Sequence, residues 1–299
     1  MEDMKLQKSR RSYIRELTEK IIENLLFVCA VIAIIVVFLI IGFIFAQGWP
    51  VIQKYGIAHF LFNLEWKPLA EDVQFGLLPM IVGSFAVTFG ALAISVPLGV
   101  SCAVFLAEFA PQWAAKRIRP AIELMAGIPS VVYGFWALVV LVPIIMNNLG
   151  GRGMSILAGS IILGIMALPF IINIAEDAIR AIPNEYREGS LALGATHWQT
   201  VKYVVIPAAK SGILTAIILG MALTIGETMA VILVAGNAPI IPGSILDMVR
   251  TLTAHIALEM GYAAGEHQQA LFVSGIILFV IIMILNSLAL LIYKRAGER

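Results

Sequence analysis

Few side chains in this 299-residue chain are placed to do chemistry in an apolar medium, and Glu227 is the first to consider. It lies in the run Gly226-Glu-Thr-Met-Ala-Val231, inside a stretch (211–236) that carries no other ionisable group. A carboxylate at membrane depth costs at least a few kcal/mol, so it must face protein or water and find a partner. Two roles satisfy that demand. Glu227 lines or gates a polar path, with Thr228 beside it, or it is hydrogen-bonded glue between helices. The small neighbours Gly226, Thr228 and Gly236 suit close helix packing in either case. Arg250 is a basic residue further along, either solvated in its loop or folded inward as a counter-charge. Nothing else resembles a catalytic set. His197 has no second His, Cys or carboxylate at metal-ligand spacing, and no nucleophile and base converge within the apolar runs. A phosphate loop of the form G-x-x-x-x-G-K-S/T is absent from the sequence, so ATP chemistry would have to sit on another subunit.

The second group of interest is a polar and apolar mixture at 183–207. Pro183 suits a first helical turn, and Gly194 is a natural helix stop. Thr196 followed by Gln199 has capping-box spacing, so a second helix is expected from about His197, ending at Pro207. The result would be a compact helix-glycine-helix knob with Ala195, Thr196, His197 and Trp198 at its tip. Taken singly, Glu188 reads as a solvated helix residue and Gly194 as an ordinary cap.

The elements that must position these groups follow from composition. Sixty per cent of the residues are hydrophobic and 13% charged, and mean hydropathy is +0.95. A soluble domain carries about 25% charged residues, so water is not the main solvent here. Six stretches lack Lys and Arg and are long enough to span a bilayer: 25–46, 76–107, 122–146, 154–175, 211–236 and 269–292. Backbone in lipid must satisfy its own hydrogen bonds, so these are helices, with kinks or breaks expected at Pro97, Pro129, Pro143 and Pro169. Sixteen of the 20 basic residues fall in 1–24, 108–121, 176–210 and 293–299, against four in 47–75, 147–153 and 237–268. By the positive-inside rule both termini and the 176–210 loop are cytoplasmic. The basic N-terminus precedes about 22 apolar residues without a small-residue cleavage site, so it is expected to stay in the protein. Cys29 and Cys102 sit in apolar runs and are read as packing residues.

At 188–207 the chain resembles the ABC importer permeases. Their cytoplasmic signature is Glu-Ala-Ala, three residues, Gly, nine residues, Ile-x-Leu-Pro. Here Glu188-Gly189-Ser190, Gly194 and Val204-x-Ile206-Pro207 stand at those spacings. Further segments extend the resemblance over about 73–293. These are Phe75-Gly-Leu-Leu-Pro-Met-Ile-Val-Gly-Ser84, Val96-Pro-Leu-Gly99, Ala107-Glu-Phe-Ala-Pro111, Glu123-Leu-Met-Ala-Gly-Ile-Pro-Ser-Val-Val-Tyr-Gly134, Gly226–Val231 and Val249-Arg-Thr-Leu-Thr253. In that order they are similar to the PstC/PstA permeases of phosphate importers, PstC more than PstA.

The resemblance implies an all-α, polytopic inner-membrane protein with six transmembrane helices and the type I ABC importer permease fold. It divides the chain into a cytoplasmic segment 1–24, a permease domain 25–293 with a coupling loop at 176–210, and a cytoplasmic tail 294–299. Glu188, Gly194, Ala195, Thr196, His197 and Trp198 would dock in a groove of an ATPase subunit. Glu227, Thr228 and Arg250 would belong to the substrate pathway. Implied partners are the lipid bilayer, a second, PstA-like permease, two copies of a PstB-like ATPase carrying ATP and Mg²⁺, and an external PstS-like phosphate-binding protein. No cofactor on this chain, no catalysis by it and no nucleic acid partner are expected. The family often places an Arg one turn before the membrane Glu, where this chain has Leu223. The positive charge facing an anion would then come from the second permease, from Arg250, or from backbone N–H groups at a broken helix around Gly127-Ile128-Pro129. Sulfate, molybdate or phosphonate remain alternative cargoes. An ion-coupled secondary carrier is the alternative of a different class; it would show several paired intramembrane charges and leave the 188–207 signature unexplained.

Overall fold

The computed structural model describes the backbone of residues 2–297 and the side chains of residues 19–291. Most of the segment 1–24 and the tail 294–299 therefore lie outside the described side chains. Among the described residues five helices are long and apolar enough to cross a membrane, and six if one bent pair counts as a single span. The first is the membrane part of α1 (Glu2–Tyr55), which packs on α14 (Glu266–Gly297) through an edge-on Phe43–Phe272 contact at 5.6 Å. The second is α3 (Leu78–Val104) with a π-type turn at Phe105–Phe109. The fourth is α7 (Ile156–Arg180), whose first turn is capped by Ser155 accepting from the Ala158 N–H at 3.2 Å.

Helix association in lipid relies on close packing rather than on expulsion of water. The α3/α7 pair meets that need at Gly90, where an added Cβ would collide with the Ser160 side chain. Around this contact Val87, Ala91, Ala158, Ile162 and Leu163 are buried, together with Ala230, Val231 and Val234 from α12 (Met229–Val234). A second cluster joins Ala103 of α3 and Ile171 and Ala175 of α7 to Ala216 of α11 (Lys210–Gly226).

Two spans differ from the sequence expectation. The stretch 122–146 is not one helix: α4 (Gln112–Ala126) is a separate amphipathic helix, and the membrane span begins at Ser130. Pro129, which has no N–H to continue the preceding helix, stands in extended conformation at φ −59°, ψ 142° and precedes α5 (Ser130–Trp136), which runs through a π-type turn at Ala137–Leu141 into α6 (Val142–Leu149). The stretch 211–236 is also broken, because α11 ends at Gly226 and α12 restarts at Met229. Pro97 and Pro169, by contrast, stay inside continuous helices.

Past Tyr55 the chain forms the short α2 (Ile57–Phe62) and then a two-stranded hairpin that hydropathy gives no hint of. β1 (Trp66–Lys67) pairs antiparallel with β2 (Gln74–Phe75), Trp66 opposite Phe75. Its floor is apolar: Phe60, Phe75, Leu77, Met80, Leu252, Ala270 and Val273 are fully buried. At the same end, the chain after α12 returns through a single parallel bridge, Gly236 with Val249, into α13 (Leu252–Glu259). Ser84 fixes α13 to α3 by accepting the Leu252 N–H at 2.9 Å.

Candidate functional site

The knob forms as its turn chemistry dictates. α8 (Asn184–Ala192) follows Pro183, and the chain then reverses at Gly194, whose φ of +87° is costly for any residue with a Cβ. No atom lies within 4 Å of a Cβ placed there, so conformation and not space demands glycine. Thr196 accepts from the Gln199 N–H at 3.3 Å while the Gln199 side chain accepts from the Thr196 N–H at 2.8 Å, a complete capping box. α9 (His197–Thr200) therefore starts where the spacing places it, and Ser190 and Thr200 tie the two helices together at 2.9 Å. The knob leads through a π-type turn at Val201–Val205 and α10 (Ile206–Ala208) into α11, with a 66° bend at the junction.

Glu188, Gly194, Thr196, His197 and Trp198 are exposed and Ala195 is half-buried. The surface they share is apolar as well as polar. Leu193 is 91% exposed, and Tyr186, Leu191, Trp198 and Tyr203 stand out beside it. A cluster of this kind on one compact element is typical of surfaces that contact another protein or a membrane.

Beneath the knob lie charged groups that pattern reasoning did not single out. Arg187 donates to both carboxylate oxygens of Glu108, through Nη2 to Oε1 at 2.6 Å and through Nε to Oε2 at 3.3 Å. Behind that pair Glu176 is held by Arg119 and, at 2.8 Å, by Arg180, which also donates to the Leu106 carbonyl at 2.7 Å. Glu108 sits in the Ala107–Pro111 run, at the mouth of a span where a carboxylate requires a partner. That requirement was the signal available in the sequence.

The second group of predicted residues is arranged differently from the sequence expectation. Glu227 is not in the interior of a helix. It terminates α11 in extended conformation, φ −69° and ψ 136°, and its Oε1 accepts the Met229 and Ala230 N–H groups at 3.0 and 3.3 Å. The side chain thus satisfies the first free N–H groups of α12, a helix start that favours an acidic group there. Thr228 belongs to the same break, donating to the Gly226 carbonyl at 3.3 Å. The Glu227 carbonyl accepts from Thr253 at 2.8 Å, which ties the break to α13.

Arg250 is neither a solvated loop residue nor the partner of Glu227. Its Nη1 donates to Glu259 at 2.6 Å and its Nε to the Asn237 carbonyl at 2.9 Å. Glu259 is also bonded by the Trp66 indole N–H at 2.7 Å and by His267 at 2.8 Å. His255, fully buried, packs edge-on against Trp66 at 4.2 Å and lies 3.4 Å from Arg250 Nη1. Burial, followed by the positive charge of Arg250 and the nearby His267, lowers the His255 pKa from 6.5 to about 3. Its imidazole is accordingly neutral and accepts from the guanidinium.

The family described as "Binding-protein-dependent transport system inner membrane component" matches residues 95–298, which include both the knob and the break at Glu227. Curated relatives agree. The PstC phosphate transport system permease of Haemophilus influenzae is 33% identical over 276 residues, 86% of this chain and 85% of that protein. This chain belongs to that family, among the PstC-type permeases. The probable ABC transporter permease YqgH of Bacillus subtilis is 44% identical over 257 residues, covering 84% of this chain and 83% of the relative. The probable PstC permease of Methanocaldococcus jannaschii is 32% identical over 308 residues, covering 95% and 97%. Among solved structures, a bacterial ABC transporter that imports alginate matches with a TM-score of 0.63 at 17% identity over 94% of this chain and 99% of the matched one. The MetNI methionine transporter matches at a TM-score of 0.55 and 20% identity, covering 74% and 94%. These two likenesses establish the permease fold, that of type I ABC importers.

Proposed function

We propose that this permease forms, with a second permease, the membrane path of a phosphate importer driven by an ATPase that docks on the knob. The carrying observation is the knob itself. It is a rigid, capped element with a glycine at φ +87°, fixed at the ends of two spans and topped by exposed Leu193 and Trp198. It holds the family signature at Glu188, Gly194 and Pro207. The charge asymmetry of the loops supports a cytoplasmic position for it and for both termini. ATP and Mg²⁺ would then be bound by the docked ATPase, present in two copies, and the cargo delivered from outside by a binding protein. Phosphate is favoured by the PstC names of the relatives that cover most of the chain.

Closure of the ATPase pair would push the knobs and switch the path between outward and inward states. The break at Glu227 and Thr228 interrupts helical backbone within an apolar stretch, an arrangement tolerated in a membrane where it lines a cavity or is buried in protein. Arg250, locked to Glu259, would act there through the position of α13 and the Thr253 bond more than through its own charge.

The test is uptake of radiolabelled phosphate by the complex in proteoliposomes with the binding protein present. ATP-dependent uptake, competed by unlabelled phosphate and not by sulfate, molybdate or phosphonate, is the expected result. Competition by one of those anions would replace the cargo, and uptake driven by an ion gradient without ATP would overturn the reading.

A further inference from the structure

The knob is attached to the spans at more than its two chain ends, and one guanidinium makes most of the attachment. Arg187 lies on α8, and besides gripping Glu108 it donates through Nη1 to the Ile182 carbonyl at 2.7 Å and through Nη2 to the Ile179 carbonyl at 3.0 Å. Those carbonyls belong to the end of α7 and the residues just after it. The last carbonyls of a helix have no intrahelical donor, so a cation that caps them also complements the negative end of the helix dipole. Glu108 lies in the π-type turn that ends α3. The planar fork of one arginine therefore joins the knob, the end of α7 and the end of α3 at a single point. A lysine, a point charge on a flexible stem, cannot reproduce that geometry.

The seat is buried. The Glu108 side chain is 4% exposed and that of Arg187 18%. Around it the tip of the knob leans on the same π-type turn. His197 Nε2 lies 3.1 Å from the Glu108 carbonyl, and the Phe109 ring meets His197 at 5.0 Å and Trp198 at 6.0 Å. The other connection from the knob to the spans, through α10 into α11, is bent by 66°. A push on the knob thus meets a stiff route into the closely packed α3/α7 pair and an angled one into α11.

We infer that Arg187, gripping Glu108, is a positioning residue that makes the knob and the α3/α7 pair move as one body, so that ATPase closure displaces those helices and not the knob alone. The inference rests on the docking of an ATPase on the knob proposed above. Arg187 and Glu108 lie under the exposed face, so substituting them leaves the apolar docking residues Leu193 and Trp198 in place.

The experiment compares the parent complex with Arg187→Met and Glu108→Gln in proteoliposomes, measuring three quantities: ATPase retained on purification, ATP hydrolysed, and phosphate taken up per ATP. The expected result is retention within twofold of the parent, with uptake per ATP lowered about tenfold, a size typical of coupling energies carried by side chains remote from both ligands. Arg187→Lys should restore only part of the ratio. In a background with Cys29 and Cys102 replaced by alanine, spin labels at Glu185→Cys on α8 and Leu98→Cys on α3, both exposed, should keep one separation with and without trapped ATP. Arg187→Met should give two. Should Arg187→Met fail to assemble, Glu108→Gln and Arg187→Lys report the same ratio. Parent-like uptake per ATP in assembled variants would overturn the inference while leaving the docking reading intact. Loss of the ATPase from the parent complex itself would overturn the docking reading.

Discussion

The two ends of this permease solve the same problem with different chemistry. Each buries a carboxylate that ties separate elements together, Glu108 and Glu176 at the knob end and Glu259 at the hairpin end. At the knob end the partners are guanidinium groups only: Arg187 on Glu108, Arg119 and Arg180 on Glu176. Arginine does not lose its proton in proteins, so the cationic half of this grip is fixed. At the hairpin end Glu259 is shared by Arg250, His267 and the Trp66 indole, with His255 buried alongside. That cluster contains two imidazoles, and burial holds the pKa of His255 down to about 3. Both ends leave apolar side chains uncovered, Leu193 and Trp198 on the knob and Phe62, Leu64 and Leu69 at the hairpin, while Phe60 and Phe75 are folded beneath. On the function proposed above, the knob end is the one that an ATPase pushes.

The sharpest way to break that contrast is to remove the knob tip. Deletion of residues 196–198, or Gly194→Trp at its positive φ, should leave the spans inserted and abolish ATP-dependent uptake. Losing several anchors of a contact surface costs at least ~4 kcal/mol, roughly a thousandfold in affinity, so the ATPase should not co-purify. Undiminished co-purification and uptake would remove the docking role.

A smaller effect distinguishes the hairpin end. Because the folded pKa of His255 is about 3 and that of the unfolded chain is 6.5, the unfolded state alone takes up a proton between those values. Stability from this site is therefore complete above pH 6.5 and is lost as pH falls toward 3, by about 1.4 kcal/mol per unit within the window. The groups facing His255 are Arg250, Glu259, His267 and Trp66, none of which supplies an unshared negative charge to favour the imidazolium. Thermal unfolding of the detergent-solubilised permease, followed by Trp fluorescence from pH 7 to 4, should show the decline. His255→Gln should flatten it. An unchanged slope in that variant would assign the acid sensitivity elsewhere.

How much of this was legible in the sequence depends on the range of the interaction. The turn and second helix start of the knob were legible, because Gly194, Thr196 and Gln199 act within a few positions of one another and need no tertiary partner, whereas the stop expected at Pro207 is overrun by α10, which carries helix to Ala208. The spans were legible as hydropathy but not as breaks. Pro129 marked one interruption, while the restart of α12 after Gly226 has no proline or charge pattern to announce it and depends on the Glu227 cap and the Thr253 bond. The hairpin was hidden because two-residue strands carry no alternation, and Trp66 finds its partner Glu259 at 193 positions' distance. Arg250 was singled out correctly as a charge to explain, but pairing of charges across loops is set by the fold, and Glu259 was the partner.

The smallest predicted effect lies between the two ends, at Glu227, and it distinguishes a path residue from a structural cap. As a cap it contributes about 1 kcal/mol through its bonds to the Met229 and Ala230 N–H groups, and the charge contributes about 0.3–1 kcal/mol against the start of α12. Glu227→Gln keeps an acceptor oxygen in place, so the assembled yield should fall by no more than a few-fold. Glu227→Leu removes both contributions and should lower the yield further. If Glu227 serves only as a cap, uptake divided by assembled complex is unchanged in both variants, and the break between α11 and α12 is a static support. If the carboxylate also meets the cargo or exchanges partners between outward and inward states, specific uptake shifts already in Glu227→Gln, where yield is nearly preserved. Uptake normalised to complex, with binding-protein-stimulated ATP hydrolysis measured alongside, decides between them. Unaltered specific uptake in both variants would confine the moving parts to the knob, α3 and α7.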